Sequence, residues 1–77
     1  MILDLTQLKS GQKGVVFGIQ GGRGIVSHLG RMGIRRGKKI TKVSAQFLRG
    51  PQIVKVDNLG IAVGFGIAKR ILIEVEK

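Results

Sequence analysis

Apolar residues recur at every second position in short runs, and glycines or turn formers separate the runs. Val15, Phe17 and Ile19 alternate after Gly14, and Val54 and Val56 alternate after the Gly50-Pro51 break. Ile61 and Val63 follow the turn-forming stretch Val56-Asp57-Asn58-Leu59-Gly60, while Ile71, Ile73 and Val75 alternate with Leu72, Glu74 and Glu76. A period of two marks a strand with one face on a core. Glycine, proline, aspartate and asparagine between such runs mark turns. The segment 39–45 breaks phase, because Ile40 and Val43 fall on opposite faces of a regular strand; a bend or bulge there accommodates both. About five strands are expected.

One segment departs from this pattern. Ile25, Val26, Leu29 and Met32 recur at spacings of three and four, the apolar stripe of a short helix over 23–32. About ten helical residues are marginal alone, so the sheet must hold them. The stretch LGRMGI reads as the helix stop, with Gly33 in the left-handed conformation and Ile34 meeting Leu29 in a Schellman motif. Gly30 costs about 1 kcal/mol against alanine inside a helix, which predicts the close approach of another backbone there. Arg35-Arg36-Gly37 then turns the chain into the next strand. The stretch 64–68 is too long for a tight hairpin and suits a single helical turn. The expected architecture is mainly β: a small SH3-like barrel of about five strands, with one short α-helix between strands 1 and 2 and a helical turn before the last strand. A chain of 77 residues forms one domain, 1–77, since it cannot divide into two cores.

Charge narrows the function classes. The formal net charge is +10, and residues 5–56 hold eleven bases and no acid. Such a field attracts nucleic acid, an acidic protein surface or an anionic membrane. There is no cysteine, so disulfides and thiolate metal sites are unavailable. His28 has no histidine, aspartate or glutamate at helical spacing, and neither a metal site nor a cofactor site is expected. The glycine cluster GIQGGRG at 18–24 leads from a strand into a helix as a phosphate loop does. However, Ser27 stands where a third glycine belongs, and Gly37-Lys38 lacks the serine or threonine of a P-loop. Ser27 and His28 are helix neighbours that do not face each other, and the four acids form no pair in sequence, so a non-enzymatic protein is expected. No window approaches the ~18 apolar residues of a membrane span, and the N-terminus lacks a basic leader region. A cytoplasmic protein without membrane insertion follows.

The feature of functional weight is the basic run Arg31, Arg35, Arg36, Lys38, Lys39, Lys42 and Arg49. Phe47 and Leu48 precede the Gly50-Pro51 loop and are candidates either for exposed apolar anchors or for a plug at the barrel end. Arg31, Arg35, Arg36, Lys38, Lys39, Phe47 and Leu48 are therefore the expected partner-binding residues, with charge steering and an apolar anchor acting together. The alternative is a nucleic-acid-binding SH3-like module of KOW type using the basic face. Three phenylalanines without tyrosine or tryptophan leave such a module few platforms on which unpaired bases stack.

Taken in order, Leu8-x-x-Gly11-x-x-Gly14-x-Val16, the Gly21-Gly22 pair, Leu29-x-x-Met32-Gly33-Ile34-x-x-Gly37, Gly50-Pro51, Ile61-Ala62 and Ala68-x-x-Ile71-x-Ile73 resemble the FeoA family of small ferrous iron transport proteins. The resemblance covers nearly the whole chain, and its most specific parts are the L-x-x-M-G-I-x-x-G block and the A-x-x-I-x-I tail. His28 and Gly64 depart from the family pattern without touching its apolar skeleton. The resemblance implies an SH3-like barrel that serves as a non-enzymatic cytoplasmic accessory of ferrous iron transport. It also implies a partner: FeoB, the membrane ferrous iron permease with its own GTP-binding domain, which the protein would bind and modulate. The same fold forms the C-terminal module of iron-dependent repressors, but 77 residues leave no room for a helix-turn-helix domain.

Overall fold

The computed structural model describes residues 1–45 and 50–76. The chain runs β1 (Ile2–Asp4), a 3-10 turn (Leu5–Gln7), β2 (Lys13–Ile19), α1 (Arg23–Arg31), β3 (Lys39–Ala45), β4 (Gln52–Val56), β5 (Leu59–Val63), a helical turn α2 (Phe65–Ala68) and β6 (Ile71–Glu74). The strands make one antiparallel sheet in the order β1-β6-β2-β3-β4-β5. Among the described residues there are thus six strands, one more than expected, and the helix lies between β2 and β3. The additional strand is β1. Three residues are too few to display alternation, and it is the pairing of Ile2 with Glu74 and of Leu3 with Ile73 that makes the segment a strand. Among the described residues β1 and β5 are the free edges of the sheet and do not pair with each other, so the barrel is open. Beyond the ladder proper, the Val75 N–H donates to the Met1 carbonyl at 2.9 Å and the Met1 ammonium donates to the Val75 carbonyl at 3.3 Å.

Two bulges curl the sheet. The β2–β6 register shifts between Val16 and Gly18, leaving Phe17 as the extra residue, and the β3–β4 register shifts between Lys42 and Ser44, leaving Val43. The second is the irregularity anticipated from the broken phase of 39–45. Each bulge bends its strand and raises the local twist, and both extra residues are exposed. Inside the curl, Val16, Ile40, Val54, Val56, Ile71 and Ile73 meet Leu29 and Ile34 of the helix stop and Leu5 and Leu8 of the N-terminal segment in one apolar cluster. The β4–β5 hairpin turns through Asp57 and Asn58 at φ 51° and 67°, with Val56 opposite Leu59. This is the two-residue connection with two positive φ angles whose twist matches that of the strands.

The helix stop has the predicted geometry. The Ile34 N–H donates to the Leu29 carbonyl at 2.9 Å, the Gly33 N–H donates to the Gly30 carbonyl at 3.1 Å, and Gly33 has φ +91°. These are both bonds of a Schellman motif, and the accompanying apolar contact is made by Leu29 and Ile34, each fully buried. The expectation for Gly30 is not met. A Cβ at that position meets nothing within 4 Å, because the glycine lies on the helix flank and not against the sheet. Gly30→Ala is therefore expected to stabilise the protein by about 0.5–1 kcal/mol through helix propensity and a less flexible unfolded chain. A urea titration checks it, and a lowered midpoint would contradict it.

Candidate functional site

Among the described residues the basic run does not form one surface; Arg49 lies outside them. Lys42, which the sequence groups with the solvated cations, is fully buried. It follows Ile40 by two residues on β3, so both side chains project to the inner face. Its Nζ donates to the Leu5 carbonyl at 2.8 Å and to the Leu8 carbonyl at 3.1 Å. Those carbonyls close the 3-10 turn, whose other end is capped by Asp4. The Asp4 carboxylate accepts from the Thr6 N–H at 2.8 Å and from the Thr6 hydroxyl, and the Asp4 N–H donates to Gln7 Oε1 at 2.9 Å. An acid at the N-terminal end and a cation at the C-terminal end match the polarity of the turn. Burial pushes the Lys42 ammonium below the usual lysine value, and the charge of Asp4 partly opposes that shift. Lys42 is thus a structural cation and is removed from any docking face.

Arg31, Arg35 and Arg36 gather at the C-terminal end of α1. The Schellman stop delivers the chain into a turn in which the Lys38 N–H donates to the Arg35 carbonyl at 3.0 Å, with Gly37 at φ +89°. That is the third turn position, where a positive φ favours glycine. The turn is stitched to β2 by Gly37 N–H to the Val16 carbonyl at 2.9 Å and by Val16 N–H to the Lys38 carbonyl at 2.8 Å. Arg35 Nη2 donates back to the Gly30 carbonyl at 3.2 Å, and Arg31 Nη2 donates to Ser27 Oγ at 3.3 Å. All three arginines are exposed, and among the described residues none has a carboxylate within ion-pair distance.

The two lysines of the expected surface are placed differently. Lys38 Nζ lies 2.6 Å from Asp57 Oδ2 at the hairpin tip, so part of its charge is spent within the molecule. Lys39 lines an open groove of about 680 Å³ with Lys13, Val15, Glu74 and Glu76, where the two acids offset the two cations. Phe47 and Leu48 lie outside the described residues. His28 is exposed in the last turn of α1, and among the described residues no three of histidine, cysteine, aspartate and glutamate come together. No helix among them is long and apolar enough to cross a membrane.

Sequence reasoning missed one class of residue. Val26, placed in the apolar stripe of α1, is 43 % exposed, whereas Leu29 is buried and Ile25 and Met32 are half-buried. A nine-residue helix lying on a twisted sheet buries a narrower stripe than its apolar residues would fill. The signal was available in the spacing, since Val26 neighbours Ile25 and the two cannot both face the core centrally.

Comparison with known proteins agrees with this geometry. The FeoA domain family matches residues 3–75. A protein of Methanocaldococcus jannaschii that carries the name Fe(2+) transport protein A is 35 % identical over 66 residues, covering 86 % of this chain and 78 % of that protein. The crystal structure of an iron uptake regulatory protein, FeoA, superposes with a TM-score of 0.87 at 31 % identity over 96 % of both chains. A manganese-dependent transcriptional repressor shares the fold at a TM-score of 0.87 and 17 % identity, over 97 % of this chain and 42 % of that one. The open, six-stranded SH3-like sheet and the family match over nearly its full length lead to one conclusion: the chain belongs to the FeoA family.

Proposed function

We propose that the protein is a non-enzymatic cytoplasmic accessory of ferrous iron transport that docks on the cytoplasmic part of a FeoB-type permease and modulates its transport or GTP cycle. The observation that carries this reading is the family match over residues 3–75, with the name of the Methanocaldococcus jannaschii relative in support. Ferrous iron is cargo in this scheme and need not rest on the accessory protein. The contacts proposed are Arg31, Arg35, Arg36, Lys38 and Lys39, with Phe47 and Leu48 as apolar anchors. Of these, the three arginines at the end of α1 have the strongest claim, because among the described residues no acid pairs with them.

The test is retention of the permease's cytoplasmic domain on the immobilised protein at low and high salt. Binding is expected at low salt, to weaken at high salt as rim charges are screened, and to fall several-fold with Arg36→Glu and with Phe47→Ala. No retention at either salt would remove the docking step. The nucleic-acid reading, which rests on the net charge of +10, predicts something else. Its affinity for duplex DNA would fall with a log–log salt slope of about 0.9 per phosphate contacted and would be indifferent to Phe47→Ala.

A further inference from the structure

Between α1 and β2 lies a shallow groove of about 280 Å³ lined by Gly18, Ile19, Val26, Arg35 and Arg36. Its floor is apolar and open. Gly18 has no side chain, and a Cβ there would meet nothing within 4 Å. One wall is the exposed Val26, and the other is the pair of exposed arginines on the turn whose backbone is tied to β2 by the Gly37–Val16 and Val16–Lys38 hydrogen bonds. The volume is below the range of about 300–1,000 Å³ usual for small-molecule and cofactor sites, so the groove suits one side chain and not a bound cofactor.

We propose that this groove seats a single apolar side chain from an acidic segment of a partner protein, with Arg35 and Arg36 engaging the flanking carboxylates. The proposal deepens the docking reading above and rests on it for the identity of the partner. Charge complementarity selects the occupant. All four acids of the chain are placed elsewhere: Asp4 caps the N-terminal turn, Asp57 pairs with Lys38, and Glu74 and Glu76 line the groove shared with Lys13 and Lys39. One wall is therefore cationic and the floor apolar, and among the described residues no carboxylate pairs with the guanidiniums. A second copy of the chain is a weak fit, because its acids are committed in the same way and its net charge repels. A nucleic acid would use the arginines but has no need of the apolar floor.

The test uses a fluorescein-labelled heptapeptide with three glutamates on each side of one leucine, and a second peptide with alanine in place of the leucine. Amide shifts in the intact protein should concentrate at Gly18, Ile19, Val26, Arg35 and Arg36. The leucine peptide should bind about tenfold more tightly than the alanine peptide, the effect of partly burying one aliphatic side chain. Gly18→Leu, which fills the groove from an open strand position, should abolish that difference while leaving the alanine peptide unchanged, and Arg36→Glu should weaken both peptides. Val26→Gln, which makes that exposed wall polar without adding charge, serves the same purpose should Gly18→Leu fail to fold. Shifts spread over all the cations would overturn the proposal. So would equal affinity for the two peptides, or a dodecathymidylate that displaces the leucine peptide and binds Gly18→Leu as well as wild type. Self-association that Gly18→Leu abolishes would overturn it too. The same variants are then tried on the permease's cytoplasmic domain. If the domain binds but ignores Gly18→Leu and Val26→Gln, the groove proposal falls and the docking reading stands. If the peptide binds as described and the domain does not, the docking reading falls and the groove proposal stands.

Discussion

Gly14→Ala is expected to destabilise the protein by about 3 kcal/mol, and Gly14→Val to prevent folding at 37 °C. A Cβ built at Gly14 runs into Ile73 Cγ2 and comes within 2.8 Å of the Glu74 carbonyl oxygen. The methyl of Ile73 can rotate away, but the carbonyl belongs to the β6 backbone and cannot yield without disturbing the β2–β6 ladder. Overpacking of a tight interior costs about 1–3 kcal/mol, and the backbone obstacle sets the upper end here. Restricting the unfolded chain returns only about 0.4–1 kcal/mol. A domain of this size has a total stability of about 4–12 kcal/mol, so the alanine variant should fold with a melting temperature lower by more than about 10 °C. Thermal unfolding followed by circular dichroism reads the effect. A loss below about 1 kcal/mol would mean that β6 shifts freely, and that the two strands are less firmly joined than their register implies.

The second large effect concerns Lys42. Truncation to alanine is expected to remove about 3–4 kcal/mol, because three buried methylenes are lost at about 0.8 kcal/mol each and the Leu8 carbonyl loses its lysine donor. Lys42→Met keeps most of the stem and isolates the polar part, which should amount to about 1–2 kcal/mol at neutral pH. The pH dependence gives a sharper signature. Burial lowers the Lys42 pKa from its ordinary value of 10.5, so the unfolded chain binds more protons than the folded one in the alkaline range below 10.5. Stability from this group therefore rises with pH through that window and is constant below the folded-state pKa. The advantage of wild type over Lys42→Met should accordingly widen as pH approaches 10.5, read from urea titrations in parallel buffers. A gap that stays level or narrows would show that the ammonium is not held at a disadvantage.

The contrast between these two sites shows how far the sequence could be read. The Schellman stop was legible because its determinants, Leu29, Gly33 and Ile34, are local and few. The bulge at Val43 was legible because apolar phase is itself a register signal, and Ile40 and Val43 were out of step. β1 was not, since three residues cannot display a period and its strand character comes from β6, about seventy positions away. Glycine is equally mute about its reason: Gly30 and Gly14 look alike in sequence, yet only Gly14 abuts another strand. Lys42 was misplaced because a buried lysine is the exception, and what admits this one is a pair of carbonyls from residues 5 and 8 that only the fold brings to it. At the candidate site the sequence identified the charged residues but not their division, which depends on where Asp57, Glu74 and Glu76 come to lie.

The hydrogen bonds between Met1 and Val75 have a consequence for how such a unit can be deployed. Neighbouring strands lie about 4.8 Å apart, so a host polypeptide splicing this cassette into a surface loop need span little more than that width. The added loop-closure entropy is correspondingly small. A unit whose entrance and exit are adjacent can be appended, inserted or circularly rejoined without opening its sheet. That economy suits an architecture found both in a short FeoA chain and as 42 % of a much longer repressor.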